Sequence, residues 1–446
     1  MKYTFIILIL ICGVLYANPA YYPLTTMGEG FYSLGCVSCP DSYAGLDVID
    51  QNTHPGEFFD LRYYINSGDL TNPQVENRFN YYEVFGTPSL ILNGKTRIDG
   101  GGTEIVDGSA YTIGLNSYRY GSSPLKMQIT NWQASTGQLT GTIELKASMD
   151  LINVSKFYVL IENDPATGVN HVVRDIASET FDLSGIGNTS PLNHTFTIQP
   201  TWNQANLWVA AFVQLPDHSV LQATSSLELP TYHLRAAMDW DHYQVIPAGQ
   251  SYTSSPFWLF NLGASDNYEI QIMVDNAPAN WYFNYCDEDG YCYPGSFPVP
   301  FSLAGGETKG LHLNIIVGDS GIANFHFQIT SAGLGTYTIP FKLRTDDVAA
   351  DDPLLTPATL SLGDNFPNPF RGKTTLTVNS QKAQGSVTID IFNIKGQRID
   401  SVNRTNLTAG RTDLDWTPAS DLPSGVYFYK LRDVSDSPIK RLLLVD

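Results

Sequence analysis

Cys36-Val37-Ser38-Cys39-Pro40, followed about fifty residues later by Gly86-Thr87-Pro88-Ser89-Leu90-Ile91-Leu92, is the pair of stretches on which the reading of this chain turns. Two sulfurs three positions apart are spaced for a disulfide. A helix opening at the cysteines puts Cys36 at its N-terminus, where unpaired N–H groups and the helix dipole lower a thiol pKa and make the first cysteine the nucleophile. Cys39, one turn in, then resolves a mixed disulfide. The apolar run Ser89–Leu92 reads as a buried strand, and Asn93-Gly94 turns it into a second strand over Thr96–Asp99. Pro88, with Thr87 before it, is placed to adopt the cis form beside the sulfurs and hold a substrate strand. Helical stretches are expected after Cys39 and around Asn72–Tyr82, so this is the α/β part of the molecule.

The compartment follows from the first residues. Lys2 precedes the apolar run Phe5–Leu15, which gives way to Tyr16-Ala17-Asn18-Pro19-Ala20, the layout of a secretory signal peptide over 1–20. The run is short for a membrane span, and no later stretch is long and apolar enough to form a transmembrane helix. Cys12 belongs to that leader, which leaves Cys36 with Cys39 and Cys286 with Cys292 in a chain bound for an oxidising space. Acidic residues outnumber basic ones 44 to 25, a net charge of -19, so the whole-molecule field repels phosphate backbones and nucleic acid is not expected as a partner.

Working outward, 446 residues at roughly 100–200 per domain predict three or four domains. Only 15% of the residues are charged, and 25 Tyr, 22 Phe, 37 Gly and 26 Pro give the aromatic, turn-rich balance of extracytoplasmic β-proteins. The expected fold class is multidomain and mainly β. An α/β domain covers 21–124. Strands at sandwich-like spacing, among them Gly141–Ala147, Phe157–Glu162 and Leu207–Gln214, predict a β-sandwich over 125–230. A second, immunoglobulin-like β-sandwich is expected over 231–345. The acidic, Pro-containing stretch 346–361 reads as an exposed linker, and a small C-terminal β-sandwich covers 362–446.

The combination of Cys-x-x-Cys-Pro, a helical middle and Gly-Thr-Pro-Ser before a strand and hairpin resembles the thioredoxin-like family. That resemblance implies a thioredoxin fold with Cys36 as attacking cysteine, Cys39 as resolving cysteine, and Pro88 as the cis-proline with Thr87 before it. Gly35 stands where the family usually has an aromatic residue, and no buried acid for proton transfer is apparent in the sequence. Two other readings of the pair stay open: a small structural disulfide, and half of a zinc site with His54 as a nearby imidazole. Val159–Glu162, Asn170–Arg174, Ala211–Gln214 and Val220–Ala223 are similar to the β-sandwich that follows the thioredoxin-like part in bacterial outer-membrane-associated proteins. There His171 and Arg174 line a ligand groove, contact the redox domain, or form a strand-edge pair bonded to backbone.

Cys286-Asp287-Glu288-Asp289-Gly290-Tyr291-Cys292 closes a short loop and reads as a structural disulfide stapling a hairpin. Asp287, Glu288 and Asp289 offer oxygens to calcium, but the distant Glu of a complete calcium loop is missing. The aromatic run Trp281–Tyr285 beside it serves either sugar stacking in an adhesin-like role or a sandwich core. No nucleophile elbow, zinc-protease helix or phosphate-cradling loop occurs, and the histidines do not cluster at metal spacing. No cofactor and no metal are expected.

At the other end, Asn365-Phe366-Pro367-Asn368-Pro369-Phe370, Lys395-Gly396-Gln397, Trp416, Ser424-Gly425-Val426-Tyr427-Phe428-Tyr429-Lys430 and Lys440–Leu444 follow in order. This series resembles the C-terminal sorting domain of the bacterial type IX secretion system. The resemblance implies passage through the periplasm, recognition by the outer-membrane translocon, and release or surface attachment after the domain is cut off. Asn365, Pro367, Pro369, Gly396, Gly425 and Tyr427 carry the motif. The prolines block strand continuation from the linker, and Gly425 is expected to permit a tight turn. Together these readings give a secreted or outer-membrane cell-surface protein with possible partners among protein thiols and disulfides. Two functions compete: thiol–disulfide oxidoreductase, or a non-enzymatic surface or adhesion protein that uses the thioredoxin-like scaffold and β-sandwiches to bind protein or glycan.

Overall fold

The computed structural model describes residues 19–164, 169–346, 360–362, 365, 370–380, 384–393, 397–407, 410–419, 422–432 and 440–445. Most of the expected signal peptide and linker, and the motif positions Pro367, Pro369 and Gly396, lie outside the described residues. The chain forms two compact units, 1–348 and 349–446.

The first unit is built on a parallel pair of buried strands, β1 (Thr26–Tyr32) and β2 (Phe58–Tyr64), connected through helix α1 (Cys39–Asn52). Helix α2 (Pro73–Tyr81) follows, started by Asn72, whose side chain accepts from the Val75 N–H. Strands β3 (Ser89–Leu92) and β4 (Thr96–Asp99) form the expected hairpin, with Asn93 and Gly94 both at positive φ. A Cβ at Gly94 would sit 1.8 Å from the carbonyl oxygen of His218, so this turn needs glycine for conformation and for room. Two short helices, α3 (Thr103–Val106) and α4 (Ser109–Asn116), complete the segment.

The sheet does not stop where the expected domain boundary at 124/125 falls. Strands β5 (Asp150–Asp164), β6 (Val169–Ser184), β7 (Leu207–Gln214) and β8 (Val220–Ser225) continue it in the order β8-β7-β5-β6-β2-β1-β3-β4. The seam is β6 against β2, parallel, with Val172 opposite Arg62. One apolar layer joins the two halves: Met27, Phe31, Phe59, Leu61 and Tyr63 pack with Val159, Ile161, Trp208 and Phe212. The physical reason is that β2, left as an edge, would expose an unpaired backbone row beside large apolar side chains. A three-stranded sheet of Leu125–Gln133, Gln138–Leu145 and Thr189–Thr195 covers the opposite face of β5 and β7.

A buried ion pair crosses the same joint. Glu29 accepts from Arg78 at 2.6 and 2.7 Å, from Tyr63 at 2.9 Å and from Tyr82 at 2.5 Å, while Gln214 of β7 donates to the Tyr82 hydroxyl at 2.8 Å. Every group is out of water, so satisfying both carboxylate oxygens is what makes the buried charge tolerable.

Residues 231–345 form two sheets around one core that includes Phe257, Tyr285, Leu313, Phe325, Phe327 and Phe341. This segment is seated on the first: His233 Nε2 donates to the Pro55 carbonyl at 2.7 Å, and Arg235 donates to the carbonyls of Gly56 and Leu24. Tyr337 donates to Glu57 at 3.1 Å, and Arg119 pairs with the same carboxylate at 3.0 Å. Burial pushes Glu57 up, but Arg119 and Arg235 outweigh it and hold the carboxyl below its usual range.

The second unit has a three-stranded and a four-stranded sheet around Phe370, Leu376, Ile389, Ile391, Trp416, Tyr429 and Leu442. Asn365 is buried and donates to Thr374 at 2.9 Å; the buried Tyr427 donates to the Pro423 carbonyl at 2.6 Å. Gly425 does not form the expected tight turn. It opens the strand Gly425–Leu431 without a positive φ, and a Cβ there would meet open space.

Candidate functional site

Residues Ser33–Ser38 leave the end of β1 and lead into α1. The helix begins at Cys39, not at Cys36, because Pro40, which has no N–H to lose, sits in its first turn together with Asp41. Cys36 therefore lies three residues ahead of the helix, in the preceding turn, with its N–H on the Ser33 carbonyl at 3.2 Å. Cys39, Ser42, Gly45, Leu46 and Ile49 form the buried face of α1. At Gly45 a Cβ would come within 2.0 Å of the Ile105 carbonyl oxygen, so glycine lets α3 pack directly on this helix.

Cys36 and Cys39 are joined as a disulfide with Cα atoms 5.4 Å apart. Cys39 is 2% exposed and packs against Tyr32, Leu46 and Tyr64, whereas Cys36 is half-buried at the surface. Of the two sulfurs, only that of Cys36 lies at the surface. The loop that holds Thr87 and Pro88 is tied to this turn by a hydrogen bond of 3.1 Å between the Ser33 and Thr87 hydroxyls, and the Thr87–Pro88 peptide is cis. Pro88 is buried. The structure thus brings all four predicted residues of this site to one end of β1 and β3.

Around the sulfurs the surface is apolar and open. Leu34 is 64% exposed, Val37 93% and Phe85 65%. Large apolar side chains held in water beside the disulfide offer contact area for a macromolecule.

Beneath the disulfide, on the α1 side of the sheet, lies a polar cluster that the sequence did not reveal. Asp60 on β2 accepts from Arg62 Nε at 2.7 Å and lies 2.5 Å from His171 Nδ1. Burial raises the Asp60 carboxyl, but Arg62 and His171 outweigh it and hold it well below the ordinary carboxylate range. Tyr32 shares Ser42 with Tyr111 through contacts of 3.1 and 2.6 Å, and burial drives the Tyr32 hydroxyl well above its usual pKa. Of the alternatives for His171 and Arg174, contact with the N-terminal segment is what occurs: His171 holds Asp60, and Arg174 donates to the Asp69 carbonyl at 3.3 Å. His54, the nearby imidazole considered for zinc, instead packs tilted against Tyr337 with ring centroids 4.4 Å apart.

Cys286 and Cys292 form the other disulfide, Cα atoms 4.0 Å apart, directly opposite each other in a hairpin of Tyr282–Asp287 and Cys292–Pro294. The Asp287 carboxylate is occupied by the hairpin and the strand beside it: it accepts from the N–H groups of Asp289 and Tyr291, from the Tyr293 hydroxyl and from Lys309. It turns inward as a loop organiser, away from the outward oxygen array a calcium site needs.

Residues 364–445 match the model of the secretion system C-terminal sorting domain. The C-terminal unit is a sorting domain. Its presence places the chain under type IX secretion handling, by which it passes the periplasm to be secreted or attached to the cell surface. Among the described residues, no helix is long and apolar enough to cross a membrane. No curated protein matches the chain in sequence. Among solved structures, the chain is similar to HBP35 of Porphyromonas gingivalis at 14% identity and a TM-score of 0.38, covering 72% of this chain and 98% of that one. It is also similar to dimeric latent PorU of the same organism at 12% identity and a TM-score of 0.20, covering 72% of this chain and 34% of that one. The N-terminal domain of PorA aligns over 24% of this chain and 86% of its own at 13% identity, with a TM-score of 0.18.

Proposed function

We propose that this exported protein is a thiol–disulfide oxidoreductase acting on other exported or surface polypeptides, with a thioredoxin-like segment as its active part. The observation that carries the reading is the asymmetry of the Cys36–Cys39 bond: one sulfur reachable, the other packed in the core at the start of α1. The β1-α1-β2 crossover, the antiparallel β3-β4 hairpin and the Thr87–Pro88 loop beside the sulfurs support it. In this reading Cys36 is attacked, Cys39 leaves as thiolate, and Thr87 and Pro88 border the substrate. Residues 1–20 are a signal peptide, 231–345 an immunoglobulin-like β-sandwich, and Asn365, Pro367, Pro369, Gly396, Gly425 and Tyr427 belong to the sorting signal read by the translocon.

The test is the redox equilibrium of the full chain against glutathione, with mass-resolved thiol labelling. A potential in the range of about -120 to -270 mV, with Cys36 labelled first, is expected. A potential below about -300 mV with unreactive sulfurs makes the pair a structural staple. Function then moves to the second reading, a binding protein, which is favoured by one observation: Tyr282, Tyr291, Phe297 and Ile316 are exposed on the 231–345 segment.

A further inference from the structure

The rim of the Cys36–Cys39 disulfide carries charge information in addition to its apolar surface. Four stretches of chain close around the pair and are tied to one another. The turn after β1 meets the loop after β2 where the Leu34 N–H donates to Ser67 at 3.0 Å. It meets the loop before β3 through Ser33 and Thr87. That loop meets the one after β4 where the Gly100 N–H donates to the Pro88 carbonyl at 2.9 Å, and the Gly102 N–H returns to Asp41 at 3.0 Å.

The loops after β2 and before β3 hold Asp69 and Glu83, and beside them Asp41 lies in the first turn of α1, Asp99 ends β4 and Glu104 lies in α3. The nearby cations are spent locally: Arg97 Nε donates to Asp99 at 2.8 Å with its guanidinium over the Phe85 ring at 5.6 Å, and Arg174, which donates to the Asp69 carbonyl, is paired with Glu162 at 2.6 Å. Arg62, below the site, is buried on Asp60. With Asp99 matched by Arg97, the carboxylates of Asp41, Asp69, Glu83 and Glu104 leave the chain around the apolar side chains net negative. A polypeptide meeting this face gains contact area from Leu34, Val37 and Phe85, and gains or loses Coulomb energy according to its own sign.

We propose that the substrate of this site is a cationic polypeptide segment, with an apolar residue beside its cysteine and lysines or arginines within a few positions. This rests on the exchange reading above. From the disulfide form, a substrate thiolate attacks Cys36 Sγ; the Cys36–Cys39 bond breaks, and its electron pair goes to Cys39 Sγ, which takes a proton. A second substrate thiolate then attacks the substrate sulfur of the mixed disulfide and frees Cys36. The substrate loses two electrons to its new disulfide, and the cysteine pair gains them. Neighbouring lysines favour the substrate thiolate that the first step needs.

The experiment uses the full chain as a Cys12→Ser, Cys39→Ser variant, in which Cys36 is the free thiol and Cys286–Cys292 stays closed. Two peptides carry the same Leu-Cys core as a thionitrobenzoate mixed disulfide, one flanked by lysines and one by glutamates; release of thionitrobenzoate reports attack by Cys36. At low salt the lysine peptide is expected to react at least about tenfold faster than the glutamate peptide. Near 1 M salt the ratio is expected to fall to within about twofold. Adding Asp69→Lys and Glu104→Lys, both exposed, is expected to bring the low-salt ratio close to one. Equal rates for the two peptides, with normal reaction toward the neutral dipyridyl disulfide, overturn the charge selection and leave the exchange reading standing. A preference that survives the two lysine substitutions overturns the assignment to this rim. Silence toward both peptides and dipyridyl disulfide removes the exchange reading and this proposal with it. Because Cys39 is buried, a wild-type control keeps the test decisive: anisotropy of the two peptides with Cys→Ala, binding the disulfide form, is expected to show the same order of affinity, and equal affinities count against the proposal.

Discussion

The two disulfides both close short loops, with sequence separations of 3 and 6, yet sit in opposite surroundings. Cys286 and Cys292 face each other across paired strands, and Asp287 independently holds the loop between them through the Asp289 and Tyr291 N–H groups and anchors it to Tyr293 and Lys309. Cys36 and Cys39 bridge an irregular turn to the first residue of a helix, among loops tied by single hydrogen bonds and bordered by exposed apolar side chains. A sulfur–sulfur bond whose surroundings are already fixed adds stability and little else. One whose surroundings are open, with one sulfur at the surface and the other buried, has the asymmetry on which the proposed exchange rests.

The sharpest way to break this contrast is to remove the nucleophile. Cys36→Ser is expected to lower exchange with a thiol substrate by roughly three orders of magnitude or more, to background, while Cys286→Ser with Cys292→Ser leaves the rate unchanged. A stopped-flow assay of mixed-disulfide formation decides it, and equal losses from both variants would erase the distinction. Next in size is the support under the first site. Arg78→Met strands the buried Glu29 carboxylate and is expected to cost about 3–5 kcal/mol in urea denaturation, read as a shift in midpoint.

Acid probes the seating between the segments that carry the two disulfides. Burial, with Arg235 adding to it at His233, pushes His233 and His242 down to about 4 from 6.5. Unfolded, each takes a proton below about pH 6.5; folded, each stays neutral until about pH 4. The unfolded chain therefore binds more protons in that window. Stability is full above pH 6.5 and falls as the pH drops toward 4, by about 3 kcal/mol per histidine at the lower limit. Denaturation midpoints measured between pH 7 and 4 check the slope, and a His233→Gln, His242→Gln variant is expected to flatten it. The smallest effect belongs to the staple itself: removing Cys286–Cys292 is expected to cost about 2 kcal/mol, the loop-closure entropy of so short a ring.

The cysteine pair, the Thr87–Pro88 loop, the β3-β4 hairpin and the sorting motif were legible because each is local: a fixed spacing, a turn dipeptide, an ordered series of short signatures. The helix expected after Cys39 is there, but Cys36 is not its first residue, because the spacing of two sulfurs does not say which side of a helix boundary they occupy, whereas Pro40 does. Glu29 and Arg78 stayed hidden because a single acid in Thr26–Tyr32 reads as the solvent side of a strand, and its partner lies 49 residues away. The rim carboxylates were equally silent. In a chain with 44 acidic residues, position in space and not abundance gives Asp69 and Glu104 their meaning. The seam between β2 and β6 was out of reach for the same reason, since parallel pairing across so much intervening chain leaves no periodic trace.

That seam sets an order of events during biogenesis. A chain emerging from its N-terminus presents β2 as an open edge, with Phe59, Leu61 and Tyr63 uncovered, until Val172 and its strand arrive more than a hundred residues later. Throughout that interval the nascent polypeptide has cysteines ready to oxidise but no finished structure to guide them, so the envelope must shelter an adhesive half-sheet before it can ship a working one. The smallest piece that escapes this vulnerability runs from residue 21 through Ser225, where β8 closes the sheet.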